Sequence, residues 1–213
     1  MENKVTLGVF AFMSLSFVLI MDNHFFTPPD YFPKPVYDFQ QNPLDSSKIL
    51  LGRSLFYDPI LSANNTISCA SCHSPFNAFA HTDHDLSHGI FDSIGNRNAP
   101  ALFNLAWQKM FMWDGAINHL DMQALAPISH KSEMGSNINE VIKKLDKSLA
   151  YKDLFLYAFQ DSTISTAKIL KALSQFQLTL VSANAKYDRV KMGKEAFTEP
   201  VSYTHLRAHE TES

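Results

Sequence analysis

Both cysteines of the chain fall in one pentapeptide, Cys69-Ala70-Ser71-Cys72-His73, and that spacing constrains the fold more than any other feature. Two thiols separated by two residues can each add to one vinyl group of a haem, and the histidine that follows directly then reaches the iron. A covalent haem c would give a loop-rich chain the nucleus it otherwise lacks. Other readings of the same residues stay open. A thioredoxin-type redox pair wants a strand before the motif and a helix after it, and the pattern shows neither. A structural zinc site needs four ligands and would have to borrow from His73, His81, His84 or His88. A simple disulfide is the blandest choice.

The residues around the motif suit a wrapped cofactor. Between Ser62 and Asn118 no strand-like alternation persists and Pro, Gly, Asn and Asp recur, which predicts a long loop-rich region organised around something. Before it, SSKILLGRSLFYD places Ile49, Leu50, Leu55 and Phe56 at roughly helical spacing behind a serine cap, with Asp58-Pro59 as the stop. After it come NINEVIKKLDKS, YKDLFLYAFQ and STAKILKALSQFQLTLVSANAKYDRV, all read as helix, with Ile169, Leu173, Phe176 and Leu180 on one core-facing stripe. The fold class expected is mainly α, a cytochrome c-like haem domain spanning residues 44–200.

The flanks read differently. Lys4 precedes an apolar run from Val5 to Met21, so residues 1–21 are expected to be a signal peptide or an inner-membrane anchor, with the rest outside that membrane. Such export suits haem c, which is attached outside the cytoplasm. Residues 22–43 carry five prolines and predict an extended, semi-rigid linker. Residues 201–213, VSYTHLRAHETES, break the helical pattern and read as a non-native tail. A formal net charge of −3 over 213 residues, with no Lys/Arg run, excludes a general basic field for nucleic acid.

Three segments in order, LGRSLFYDPILSANNTISCASCHSPFNAFAH, GNRNAPALFNLAW and FMWDGAINHLDMQALAPISHKSEMG, resemble the bacterial di-haem cytochrome c peroxidase family, which includes MauG-like enzymes. The resemblance spans about Leu51 to Gly135, and ALSQFQLTLVSANAKYD also looks like the end of that family's N-terminal haem domain. Family members carry two CxxCH motifs and this chain has one, so it is expected to be the peroxidatic half, truncated before a second haem domain. The implied reaction is reduction of hydrogen peroxide to water with electrons from a small cytochrome or similar donor, with low activity for the half alone.

The resemblance also implies roles. Cys69 and Cys72 would form the thioethers and His73 the proximal iron ligand. Gln123 and Glu133 would be the distal polar groups, with Pro127 shaping the loop between them and Glu133 acting as general acid/base. Trp113 would be a stepping stone for electrons, and Asn98 a ligand to a calcium ion at the domain junction. Arg53 and Arg97 could pair with haem propionates. His88 is the nearest candidate for a displaceable distal iron ligand, ahead of His81 and His84, although it precedes Gly89 where the family's histidine follows the glycine. His119 and His130 read as polar surface. Ala116 stands where the family commonly has arginine. A homodimer and inner-membrane attachment complete the expected partners. The rival functions are a mono-haem electron carrier whose sixth ligand is Met134 or another methionine, and a MauG-like oxidase of a protein or organic substrate.

Overall fold

The computed structural model describes residues 26–198; the expected anchor at 1–21 and tail at 201–213 lie outside the described residues. Among those described, the chain is mainly helical, with no helix long and apolar enough to cross a membrane. Eight α-helices follow one another: α1 (Ser46–Tyr57), α2 (Cys69–Cys72), α3 (Leu120–Gln123), α4 (Leu125–Ser129), α5 (Ile138–Asp146), α6 (Leu149–Phe159), α7 (Thr166–Leu178) and α8 (Lys186–Lys191).

α1 starts where a side chain caps it. The cap is Asp45, not a serine: its carboxylate accepts from the Ser47 and Lys48 amides, answering donors that a helix N-terminus leaves open. The helix ends at Asp58, whose carboxylate accepts from the Ile60 amide and turns the chain through Pro59. On its inner face Leu51, Leu55 and Phe56 are buried, and they meet Ile169, Leu173 and Phe176 of α7 in one core. Full burial of each such side chain contributes about 1.5–3 kcal/mol. The two helices cross closely because residue 52 is glycine: a Cβ there would run into the Ala172 carbonyl of α7.

α5 and α6 complete the core with Val141, Leu145, Tyr151 and Phe155. Lys144 of α5 reaches across to the preceding loop and donates to the carbonyls of Ile60, Ser62 and Ala63 and to Asn65 Oδ1. An ammonium group thus gathers a turn that has no regular structure of its own. That turn in turn donates the Ala63 amide to the Met134 carbonyl at 2.9 Å.

Two expectations change in the folded chain. The segment read as one long helix ends at Leu178 and resumes only at Lys186. Between them Asn104 takes over the hydrogen bonding: its amide donates to the Leu180 carbonyl at 2.9 Å, and its side chain brackets Ser182 by accepting from its amide and donating to its carbonyl, each at 2.8 Å. The proline-rich stretch has no helix, yet it is docked on the domain. Phe26 and Phe32 pack on Trp107, Tyr37 donates to Asp121 at 2.8 Å, and the buried Gln175 amide of α7 donates to Asn42 Oδ1.

Around the opening of the fold stand three small loops, each closed by a single antiparallel bridge between residues six apart: Ser74 with Ala80, His88 with Ile94, and Phe111 with Ile117.

Candidate functional site

The first loop belongs to His73. α2 is only one turn long, and His73 caps its C-terminus by donating its amide to the Cys69 carbonyl. Beyond it Ala78 and Phe79 both adopt left-handed backbone, φ 55° and 56°, a conformation that costs a side-chain-bearing residue energy and is kept where the fold needs it. The need is visible: the Phe79 carbonyl stands 2.9 Å from His73 Nδ1. A carbonyl can only accept, so the ring proton on this side sits on Nδ1; the Pro100 carbonyl also acts on the ring, and Nε2 is the nitrogen that would turn to a metal. Burial depresses the His73 pKa and favours the neutral ring that ligation requires. The Phe79 ring anchors this loop against Phe56 and Phe176 of the core.

His73 and Cys72 open onto a cavity of about 340 Å³, whose wall also includes Gln123, Pro127, Glu133 and Trp113. Residues far apart in sequence therefore meet at one site. Its volume lies within the roughly 300–1,000 Å³ of cofactor and small-molecule pockets. Cys69 and Cys72 are unpaired thiols; burial pushes Cys69 up to about 12 and raises Cys72 as well. The Ser87 hydroxyl, also on the cavity wall, is buried with no hydrogen-bond partner of good geometry. Two thiols, an imidazole whose Nε2 would turn to a metal and a cavity beside them fit a covalently attached haem.

Glu133 reaches the cavity on the loop after α4. The Glu133 and Gly135 amides both donate to the His130 carbonyl and the Met134 amide to that of Pro127, with Gly135 at φ 56° making the turn possible. Burial raises the Glu133 pKa, opposed by His130, whose Nδ1 lies 3.4 Å from Glu133 Oε1. Gln123, at the end of α3, has its Nε2 3.8 Å from Met112 Sδ. Trp113 is 63 % exposed at the cavity edge, its indole N–H donating to the Asn98 carbonyl at 2.7 Å. Arg97 holds Asp114 at 2.9 Å, and this contact keeps the Asp114 carboxyl below its ordinary range.

Other expected site residues sit elsewhere. Arg53 is absent from the cavity wall; it lies on the outer face of α1, over the Tyr57 ring. His88 is likewise absent from the wall, although Ser87 and Gly89 belong to it, and its Nδ1 is engaged by Asp92 Oδ1 at 2.5 Å. Asn98 lines the cavity and donates its side-chain amide to the Asp85 carbonyl. Met134 is buried in the hydrophobic core, so the methionine beside the cavity is Met112. Sequence reasoning passed over Met112 and Ser87, and it set His130 aside as surface. A signal existed for His130, three residues before Glu133 on a turn; none existed for Ser87.

The sequence profile of the di-haem cytochrome c peroxidase family matches residues 46–196. The chain belongs to that family. Among curated members it is 38 % identical over 176 residues to the methylamine utilization protein MauG of Methylophilus methylotrophus, covering 80 % of this chain and 49 % of that protein. To the cytochrome c peroxidase Ccp of Escherichia coli it is 35 % identical over 171 residues, covering 79 % of this chain and 36 % of that one. A crystal structure of a MauG-like protein associated with microbial copper homeostasis superimposes with a TM-score of 0.73 at 32 % identity, over 83 % of this chain and 54 % of the other. The chain thus spans about half the length or less of these relatives. Membership of a di-haem cytochrome c peroxidase family implies covalent haem c, and Cys69, Cys72 and His73 are the residues here that fit it.

Proposed function

We propose that this chain is the peroxide-reacting haem domain of a c-type haem peroxidase. The observation that carries the proposal is that Glu133, a carboxylate with a raised pKa, shares one cavity with the ligand-ready His73. Cys69 and Cys72 would hold the haem by thioethers and His73 Nε2 would hold its iron. When bound, the haem supplies the electron-transfer chemistry that side chains lack.

The overall change is hydrogen peroxide plus two electrons and two protons giving two waters. Glu133 accepts the proton of one peroxide oxygen and returns it to the other as the O–O bond breaks, so that this second oxygen leaves as water. A carboxyl pushed towards neutrality serves both halves of that shuttle. Gln123 supplies an amide that orients peroxide, and His130, 3.4 Å away, restrains the carboxylate. Trp113, exposed at the edge, gives electrons a route in from a small cytochrome donor. Arg97, on the cavity wall, would offer a cation to an anionic haem edge. Because haem c is attached outside the cytoplasm, the periplasm is the proposed location.

Peroxide consumption by the haem-loaded protein, with a reduced small cytochrome as donor, tests the reading. Removal of an acid/base group is expected to slow the reaction about 10²–10⁴-fold; an unaltered rate in Glu133→Gln would sink it. A second reading, oxidation of a protein or organic substrate, draws on the exposure of Trp113 and on the likeness to MauG. It requires that the oxidised protein lose its oxidising equivalents to such a substrate faster than it accepts electrons from the cytochrome.

A further inference from the structure

Three histidines that the cavity does not use stand in a row on the loop beside it. His81 and His84 have rings nearly parallel, 17° apart, and His84 Nδ1 lies 3.4 Å from His81 Nε2. The His88 ring follows, its centroid 4.9 Å from that of His84. The spacing along the chain is His-x2-His-x3-His, with Asp83 and Asp85 interleaved. The bland explanation is a polar loop whose imidazoles happen to touch.

Two details argue for more. Nitrogen ligands about 2.0–2.1 Å from a tetrahedral zinc-like ion lie roughly 3.3 Å from each other, which is close to the His81–His84 gap. His88 meanwhile donates Nδ1–H to Asp92 Oδ1. This is the carboxylate–histidine pairing that commonly orients a metal-binding ring and leaves Nε2 free. The loop is also held in place, since the Asn98 side chain donates to the Asp85 carbonyl and the Gly95 amide to that of Ser87. Among the described residues no three such side chains already converge on one point. His81 and His84 bring one nitrogen each to within 3.4 Å, and the His88 ring lies 4.9 Å from that of His84, a gap that side-chain rotation at an exposed loop can close.

We propose that His81, His84 and His88 form a binding site for one divalent transition-metal ion of the imidazole-preferring class, with Asp92 as the outer carboxylate that orients His88. Imidazole suits zinc, copper and nickel, whereas the all-oxygen ions calcium and magnesium are poorly served by it. The neighbouring Asp83 and Asp85 carboxylates offset the added charge. This site is separate from the haem cavity and does not depend on the peroxidase reading.

Zinc is the suitable probe, being redox-silent beside a haem. The haem-loaded protein, in which both thiols are consumed as thioethers, is titrated with Zn²⁺ against a chromophoric chelator. One equivalent is expected to be retained, and His81→Gln, His84→Gln and His88→Gln are each expected to weaken it tenfold or more. The Soret band of each variant confirms that haem and fold are intact. Absence of stoichiometric zinc binding, or an affinity unchanged in any of the three variants, overturns the proposal.

Discussion

Gly89 lies directly against Glu133. The Ile90 amide donates to the Glu133 carbonyl at 2.8 Å, and a Cβ on Gly89 would collide with the Ser132 and Glu133 backbone. The loop that carries His88 is therefore the backing on which Glu133, the proposed acid/base residue, rests. Gly89→Ala is expected to push the Glu133 loop out of place while leaving Cys69, Cys72 and His73 untouched. Misplacement of a reacting group by about 1 Å can cost on the order of 10²-fold in rate. Peroxide turnover should fall by about that factor with covalent haem content unchanged, measured by pyridine haemochrome spectra; an unimpaired rate would show that the contact does not position Glu133.

Glu133→Gln should separate activity from stability. Burial raises the folded-state pKa of Glu133 above its ordinary 4.5, so the neutral carboxyl stabilises the fold below that value and the contribution is lost as pH rises through the folded pKa. Above its folded pKa the wild-type protein carries an ionised, half-buried carboxylate that the glutamine variant lacks. Urea midpoints are expected to be equal or higher for the variant at pH 7 and to converge with wild type below about pH 4.5, the ordinary glutamate range.

His73 sets the opposite dependence. Its folded pKa is depressed by burial below the ordinary 6.5, so the stability tied to the neutral ring is fully present above about pH 6.5 and is lost as pH falls through the lower folded value. Acid titration of the haem-free protein, followed by far-ultraviolet circular dichroism, should show a transition below pH 6.5. Loss of structure on raising the pH from 6.5 to 7.5 would contradict this assignment for His73.

The α1–α7 crossing gives a purely structural prediction. Gly52→Ala inserts a methyl group against the Ala172 carbonyl and the Phe176 side chain, forcing the helices apart. Overpacking of this kind typically costs about 1–3 kcal/mol, large enough to lower the thermal midpoint by several degrees. Because Phe176 also contacts the Phe79 ring, the variant should loosen the His73 loop as well, visible as weaker haem retention on dilution into detergent.

Much of the fold was legible from pattern. α1, α5, α6 and α7 follow from apolar residues at helical spacing, and the loop-rich middle from its Pro, Gly, Asn and Asp. The break after Leu178 was not, because local contacts such as the Thr179 hydroxyl on the Phe176 carbonyl are joined there by Asn104, whose side chain brackets Ser182 from 78 residues away. The proline-rich stretch illustrates the same limit. Its lack of helix is local chemistry, whereas its docking depends on Trp107 and Gln175, which composition cannot point to.

What the sequence by itself determined is where covalent chemistry is possible: Cys69, Cys72 and His73 lie within five residues, a spacing that admits haem attachment and that the family resemblance favours over zinc or a disulfide. Glu133 and Gln123 entered only by resemblance. The tertiary structure decided which side chains share the cavity, bringing Glu133, His130 and Trp113 to it and leaving Arg53 and the His88 ring off its wall. It also decided that the Phe79 carbonyl, and no other group on that loop, holds the His73 proton on Nδ1. The reason is physical. Bonds between neighbours along a chain are written in their order, but distances between remote residues are set by helix packing and by the loops that packing constrains.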